Sequence, residues 1–325
     1  MAKKLLKIFT IVSILVILSF NLKKVLAQKF SLSLSPPLTE IIIKPGRSVL
    51  VAFNIYNLGD PQILTPLVKS FEPIGNFGNI VLKKELEGPI RFSLDNSEIE
   101  LEKSFFLKPN EKQQLLLRIR APEGAPEGDY YYTLVVQSDP APNNNSLTLG
   151  RAKASIGANI LVTITNQGNL EIKPSITLFD TLRGLRINKG LKVYESNQPI
   201  AVVLILKNQG KNLIKPRGKI TLIGNFGEKA EFEIIPQNIL GRSQRQLLAS
   251  PSANLNLKQP TTLTLSGFFV GYYRLTADLD FDAGTKKLFA NTSFIALPLK
   301  LMVAFVFALI LVFVLIKKYL KNQEE

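Results

Sequence analysis

Short runs of alternating or consecutive apolar residues fill the middle of this chain, and Gly, Pro, Asn or Asp closes each of them. Ser48 to Tyr56 (SVLVAFNIY) stops at Asn57-Leu58-Gly59-Asp60-Pro61, and Gln113 to Arg120 (QQLLLRIR) stops at Ala121-Pro122-Glu123-Gly124. Tyr130 to Gln137 (YYYTLVVQ) follows Pro126-Glu127-Gly128-Asp129, and Ile160 to Thr165 follows the break Pro140-Ala141-Pro142-Asn143-Asn144-Asn145. Alternation puts successive side chains on opposite faces of a strand, and breaks at roughly 8 to 12 residue spacing are those of an all-β sandwich. The pattern predicts a first β-sandwich over residues 28–169.

The second half repeats the plan. Ala201 to Lys207 (AVVLILK) ends at Asn208-Gln209-Gly210, much as the earlier strand ends at Asn57-Leu58-Gly59. Lys219 to Ile223, Ala230 to Ile235, Thr261 to Leu265 and Tyr272 to Phe281 supply further strands. Gly-Asn-Phe-Gly occurs at Gly75 to Gly78 and again at Gly224 to Gly227, and each half has a late strand opening Gly-x-Tyr or Gly-Tyr-Tyr (Gly128 to Tyr130, Gly271 to Tyr273). The expected fold is all-β: two tandem immunoglobulin-like β-sandwiches, related by duplication, with the second over 170–296.

Two longer apolar runs lie outside this pattern. Ile8 to Phe20 is led by Lys3, Lys4 and Lys7, is short for a membrane span, and is followed by the small-residue site Val25-Leu26-Ala27. Together these read as a secretory signal over 1–27 that leaves Gln28 as the mature terminus. Lys23 and Lys24 beside the cut keep an uncleaved signal anchor as the alternative, and the lack of a Cys after the apolar core excludes lipoprotein processing. The run from Phe294 to Ile316 is broken only by Pro298 and Lys300. As a helix rising about 1.5 Å per residue it matches a hydrocarbon core of about 30 Å, and Val303 to Ile316 lacks the polar face that a soluble helix needs. We read 297–316 as a single transmembrane helix and 317–325 as a cytoplasmic tail. Lys317, Lys318 and Lys321 nearly balance Lys286, Lys287 and Lys300 across it, so orientation rests mainly on the signal. The expected location is the cell membrane, single-pass, with the bulk of the chain extracellular.

Composition narrows the chemistry. The chain has no Cys, His or Trp. Ser-His and Cys-His pairs are therefore impossible, and the usual ligands of zinc, copper and haem iron are missing. No cofactor and no enzymatic activity are expected, with carboxylate chemistry the one class left to weigh. Without disulfides the cores must carry the fold, which domains of about 130 residues can do. The formal charge of +15 is unevenly spread. Residues 28–169 hold 14 cations and 14 anions, whereas 170–296 hold 17 cations and 9 anions.

Asp278, Asp280 and Asp282 resemble the start of a calcium loop, but Ala283 stands where an EF-hand needs Gly and Phe289 where it needs Glu. They read as one solvated strand face. Glu98, Glu100 and Glu102 also alternate; neighbours on one exposed strand face do not give the asymmetric pair that glycoside hydrolysis requires. Lys215, Arg217 and Lys219 alternate, and Arg183, Arg186, Lys189 and Lys192 crowd a Gly-containing stretch upstream. These seven are the candidate contacts for an anionic ligand, a wall polymer or lipid head groups, against a plain role in solubility and edge protection. Nucleic acid is not an expected partner, since an exported chain meets little of it and aromatic and basic residues are not interleaved. Tyr130 and Tyr132 are candidate aromatic contacts; the structural alternative is a core or tyrosine-corner role, with Tyr131 facing the other way.

The signal, Leu107-Lys108-Pro109-Asn110-Glu111 before a strand, Asn208-Gln209-Gly210, Gly218-Lys219-Ile220, Gly227 before the next strand, the anchor and the Lys-rich tail together resemble the WxL-interacting proteins of Gram-positive surfaces. The run Ser293-Phe294-Ile295-Ala296-Leu297-Pro298 is similar to the junction before the anchor in a broader set of uncharacterised bacterial proteins. The resemblance implies a distal domain that binds peptidoglycan or a partner surface protein and a proximal one that binds a host ligand. It assigns no binding residue. The expected function is thus a non-enzymatic, membrane-anchored surface protein that binds a cell-wall polymer or another exported surface protein. The alternative is an envelope assembly or secretion chaperone that presents strand edges to client subunits.

Overall fold

Along Lys112–Arg120, Leu115, Leu117 and Ile119 are buried while Lys112, Arg118 and Arg120 are exposed, the segregation that a strand with one wet face requires. The computed structural model describes residues 30–139, 153–188, 191–251, 261–281 and 287–321, and it repeats this arrangement in four sheets. The secretory signal expected over 1–27 and the end of the expected tail lie outside the described residues.

The first pair of sheets is built from β1 (Leu32–Ser35), β2 (Leu38–Ile43), β3 (Ser48–Asn57), β4 (Gln62–Ile74), β5 (Asn79–Leu82), β6 (Arg91–Leu94), β7 (Phe105–Leu107), β8 (Lys112–Arg120), β9 (Gly128–Asp139) and β10 (Ser155–Ile164). One sheet runs β1-β3-β8-β6; the facing one runs β2-β10-β9-β4-β5, with β7 beside β4. The chain changes sheets at Pro36-Pro37, where neither nitrogen can donate to a ladder. β2 then pairs with β10 in parallel from Leu38 and Asn159 to Ile43 and Ile164.

The second pair uses β11 (Pro174–Leu182), β12 (Leu185–Asn188), β13 (Leu191–Glu195), β14 (Ile200–Asn208), β15 (Pro216–Gly224), β16 (Lys229–Ile235), β17 (Gln244–Gln246), β18 (Leu248–Ser250), β19 (Leu263–Leu265), β20 (Gly271–Phe281) and β21 (Leu288–Leu297). Its sheets run β11-β14-β17, with β19 on β14, and β12-β13-β21-β20-β15-β16-β18. The two sandwiches correspond. β11 lies on β14 as β1 lies on β3, and β13 pairs with β21 in parallel as β2 does with β10. Gly-Asn-Phe-Gly makes the turn from β4 to β5 and again from β15 to β16. Each sandwich has its own core, around Phe53, Leu117 and Ile160 in the first and Leu204, Leu275 and Phe294 in the second.

The Asn-x-Gly ends of β3 and β14 are the same device. Each Asn is fully buried and its side-chain oxygen accepts from the Gly nitrogen two residues on, at 3.0 Å in both. The Asn57 amide donates to the carbonyls of Asp60, Leu107 and Lys108, and that of Asn208 to those of Asn212, Ile239 and Leu240. One buried side chain thus ties its strand end to the carbonyls of two neighbouring segments.

The helix α1 (Leu299–Lys321) follows Pro298. Its segment Leu299–Lys317 has a mean hydropathy of 3.0 and packs against nothing, so it is long and apolar enough to cross a membrane. The apolar run read as one span divides here: Phe294 to Leu297 belong to β21, with Phe294 and Ala296 fully buried in the second core, and the helix starts at Leu299 where 297 was expected. Strand pairing of Leu297 with Glu195, then a proline, set that start. Glu98, Glu100 and Glu102 are likewise not on a strand; they lie between β6 and β7, and Glu102 has a φ of 64°.

Candidate functional site

The second sandwich seats on the outer face of the sheet β2-β10-β9-β4-β5. Strand alternation decides which residues meet it. Tyr130 and Tyr132 face the first core, so Tyr131 between them points outward, beside Phe71 of β4 and Leu161 of β10. These pack with Leu213 and Leu240 of the second sandwich, and the Phe71 and Tyr131 rings stack at 5.8 Å.

Asp129, the second residue of β9, is the polar centre of this junction. One carboxylate oxygen accepts from Thr163 Oγ1 at 2.8 Å and Asn212 Nδ2 at 2.7 Å; the other accepts from the Leu213 backbone nitrogen and from Tyr131 Oη at 3.2 Å. Tyr131 Oη in turn accepts from the Gly241 nitrogen at 2.7 Å. Burial, and then the neighbouring Asp129 charge, push the Tyr131 hydroxyl far above the ordinary phenol range, so it stays protonated.

At the β2 margin, Glu40 accepts from Lys215 at 2.8 Å and Asn238 at 2.6 Å. Burial pushes this carboxyl up, but the hydrogen bonds from Asn238 and Lys215 outweigh it and hold it below 4.5. A depressed carboxylate stabilises the docked state above its unfolded pKa, and that contribution is lost as pH falls through the lower, docked value. The spin-label distance between the sandwiches is therefore expected to broaden below about pH 4.5, and Glu40→Gln is expected to show the broadened distribution already at pH 6. A Glu40→Gln distribution as narrow as wild type at pH 6 would contradict the assignment.

The first Gly-Asn-Phe-Gly turn docks on β17. Asn76 accepts from Gln244 Nε2 through its side chain and from the Gln246 nitrogen through its carbonyl, both at 2.7 Å. Gly78, at φ 76°, lets the Arg245 guanidinium lie on the turn, where a Cβ would collide with it. Between turn and sheet lies a cavity of about 230 Å³ lined by Leu38, Phe71, Ile80, Leu161, Leu240 and Arg245. Arg245 is half-buried, which lowers its pKa; it donates to the Asn238 carbonyl at 2.9 Å and forms no ion pair among the described residues. Asn238 Oδ1 is buried there without a partner. The cavity is smaller than pockets that enclose cofactors or drug-sized molecules, yet it offers a cation, an acceptor and apolar walls.

The cleft adjoins an open edge. β10 pairs with β9 along its whole length, but β2 covers only Asn159 to Ile164, so among the described residues Ser155 to Ala158 have no ladder partner on that side.

The seven candidate cations are not brought together. Lys192 is mostly buried, paired with Asp180 and bonded to the Thr181 carbonyl; Lys215 holds Glu40; Lys219 pairs with Glu231 at 2.9 Å; Arg217 also has an interaction partner. Arg183 is exposed in the connection between β11 and β12 and Arg186 is exposed on β12, several strands from β15, and Lys189 lies outside the described residues. The candidate aromatics are corrected too. Tyr132 is buried edge-on against Phe92, with ring centroids 4.8 Å apart, and Tyr130 donates to the Pro126 carbonyl four residues upstream, as a tyrosine corner does. Both face the core because their alternation with Tyr131 leaves only that ring for the outer face. Asp278 and Asp280 flank the buried Leu279 and Phe281 as expected, while Asp282 lies outside the described residues. Asp129, Tyr131 and Arg245 were not candidates. Tyr131 was legible as the odd ring of its triplet, whereas nothing around Arg245 in sequence separates it from other surface arginines.

No family model matches the chain, and no curated protein is significantly similar to it. Among solved structures it is similar to the class 5 fimbriae chaperone CfaA, at 13% identity and a TM-score of 0.38 over 81% of this chain and 99% of that one. The Escherichia coli chaperone DraB is similar at 15% identity and 0.36, over 80% and 98%. The CsuC-CsuE chaperone–tip subunit pre-assembly complex from Csu pili of Acinetobacter baumannii contains a chain similar at 12% and 0.34, over 82% and 99%. At such scores the likeness carries no functional argument.

Proposed function

We propose that this protein is a membrane-anchored, extracytoplasmic binding protein without catalytic turnover, which receives an extended segment of another exported protein at the cleft between its sandwiches. The observation that carries this reading is Arg245, a half-buried cation with a single backbone acceptor beside an apolar cavity and an unpartnered acceptor on Asn238. Such a site suits a terminal or side-chain carboxylate followed by an apolar residue, because the guanidinium forms charge-assisted bonds that water does not screen there. The open β10 edge at Ser155 to Ala158 supplies main-chain donors and acceptors for the rest of the segment by strand addition. Helix α1 holds the body at the membrane. An exported partner also fits the likeness to WxL-interacting proteins, and strand addition fits an assembly chaperone; both use the same cleft. A wall polymer is supported less, since of the described candidate cations Lys192, Lys215 and Lys219 are each paired with a carboxylate, and Arg183 and Arg186 stand apart from Arg217.

A photo-crosslinking residue at Ser155 of the membrane-embedded protein is expected to trap an exported protein. A peptide of that partner's contacting segment should bind the full chain, and Arg245→Ala should weaken it by about tenfold or more, the worth of a charged hydrogen bond. Crosslinking and affinity indifferent to Arg245→Ala would remove the cleft from the function.

A further inference from the structure

The end of the second sandwich from which α1 departs carries two phenylalanines that stand out of the fold on braced loops. The end is defined by register: Ala296 pairs with Gly271, Gly224 with Tyr273, and Glu195 with Leu297. The turn Gly224 to Gly227 and the loop before β20 therefore lie level with the last residues of β21. From Ala296 to the first helical residue there are three residues, about 10 Å of extended chain at most.

Phe226, on that turn, is 77% exposed, and Phe268, on that loop, is 65% exposed. Neither protrudes for lack of order beneath it. Glu228 accepts from the Phe226 nitrogen at 3.0 Å and from Tyr273 Oη at 3.1 Å, and Tyr273 Oη accepts from the Val270 nitrogen at 3.2 Å. One carboxylate and one phenol thus tie the two loops together. Phe269 is driven inward against Tyr273 and Phe294, at 5.3 and 6.3 Å between ring centroids, and its nitrogen donates to the Ser196 carbonyl. Anchoring Phe269 forces its neighbour Phe268 out. The duplicated turn gives a second argument. The first Gly-Asn-Phe-Gly docks on β17 of the second sandwich, whereas the second stands at the end from which α1 departs, with Phe226 exposed.

We infer that Phe226 and Phe268 form a membrane-contact platform that inserts into the lipid interface around the start of α1, so that the second sandwich stands on the bilayer in a fixed orientation. The inference rests on the reading of α1 as a membrane span. Large exposed aromatic residues lose contact with water at that depth, where rings are favoured, and the short link to α1 brings the lipid surface within their reach. An unlinked, freely tumbling sandwich would gain nothing from bracing two apolar rings against solvent.

The chain has no Trp, so single Trp reporters read each position without background. Phe226→Trp, Phe268→Trp, Phe307→Trp in α1 and Phe106→Trp on the first sandwich are each reconstituted as full chains in phosphatidylethanolamine–phosphatidylglycerol vesicles carrying nitroxide-labelled lipids. The expected result is blue-shifted emission at 226 and 268 quenched more by shallow than by deep nitroxides, deep quenching at 307, and none at 106. Quenching at 307 without quenching at 226 and 268 would overturn the platform while leaving the anchor intact. Failure of quenching at 307 would instead overturn the membrane reading and the platform with it. A blue shift at 226 and 268 that grows with protein density and ignores the nitroxides would assign the platform to a second copy of the chain and overturn its contact with lipid.

Discussion

Replacing Asn208 by Ala is expected to destabilise the second sandwich by about 3 kcal/mol, the combined loss of the four buried hydrogen bonds that its one amide group makes. The Asn208 amide donates to Asn212, Ile239 and Leu240, all within a site closed to water, and its oxygen holds the Gly210 nitrogen. The Leu240 carbonyl keeps Ser243 and the Ile239 carbonyl keeps the Ile214 nitrogen, so the loss falls mainly on the Asn212 carbonyl, on the Gly210 nitrogen and on the tie between the three segments. For a domain of this size the change amounts to about 10 °C in the midpoint of thermal unfolding. Asn57→Ala is the internal comparison. It removes the same device from the first sandwich, so calorimetry on the detergent-solubilised chain should show one midpoint falling for each variant. A shift below about 3 °C in either would mean that the shared motif serves the turn and not the core.

Asp129→Ala is expected to undock the sandwiches while leaving both folded. The carboxylate accepts from Asn212 and Leu213 of the second sandwich and from Thr163 and Tyr131 of its own. Truncation leaves the Leu213 amide and the Asn212 side chain facing a surface with no acceptor, at about 3 kcal/mol, or roughly 100-fold in the docked equilibrium. Asp129→Asn should behave no better. It turns one acceptor into a donor, and each carboxylate oxygen faces a group that can only donate, the Asn212 amide on one side and the Leu213 nitrogen on the other. Spin-label distances between the sandwiches, or hydrogen exchange at 211–213, will report the opening; a narrow wild-type distance distribution in both variants would contradict the role given to Asp129. Because the Arg245 cavity is lined from both sandwiches, undocking should also abolish capture at the cleft.

Much of this was legible along the chain. Strands such as Ser48–Asn57, Ile200–Asn208 and Gly271–Phe281 followed from apolar runs closed by turn residues, because a one-face-buried sheet imposes its period on the sequence. β1, β2, β12 and β17 were not read, being short edge strands whose pairing depends on distant partners. The β21 strand hid within the apolar run before the helix, since burial in a core and burial in lipid select the same residues. Among candidate contacts, charge spacing misled for a similar reason. Lys192, Lys215 and Lys219 alternate or cluster in sequence, yet each is neutralised by a carboxylate that only folding brings near.

The sequence by itself determined that this is a two-sandwich β protein with a long apolar helix and with no Cys, His or Trp, because those properties depend on composition and on local period. Only the tertiary structure decided which residues meet between the sandwiches and which stand at the helix end. Asp129, Tyr131 and Gln244 bond across more than 80 positions of chain, and the two Gly-Asn-Phe-Gly turns, identical in sequence, differ only in what the fold sets against them. Such contacts are long-range products of packing, and no local pattern encodes them.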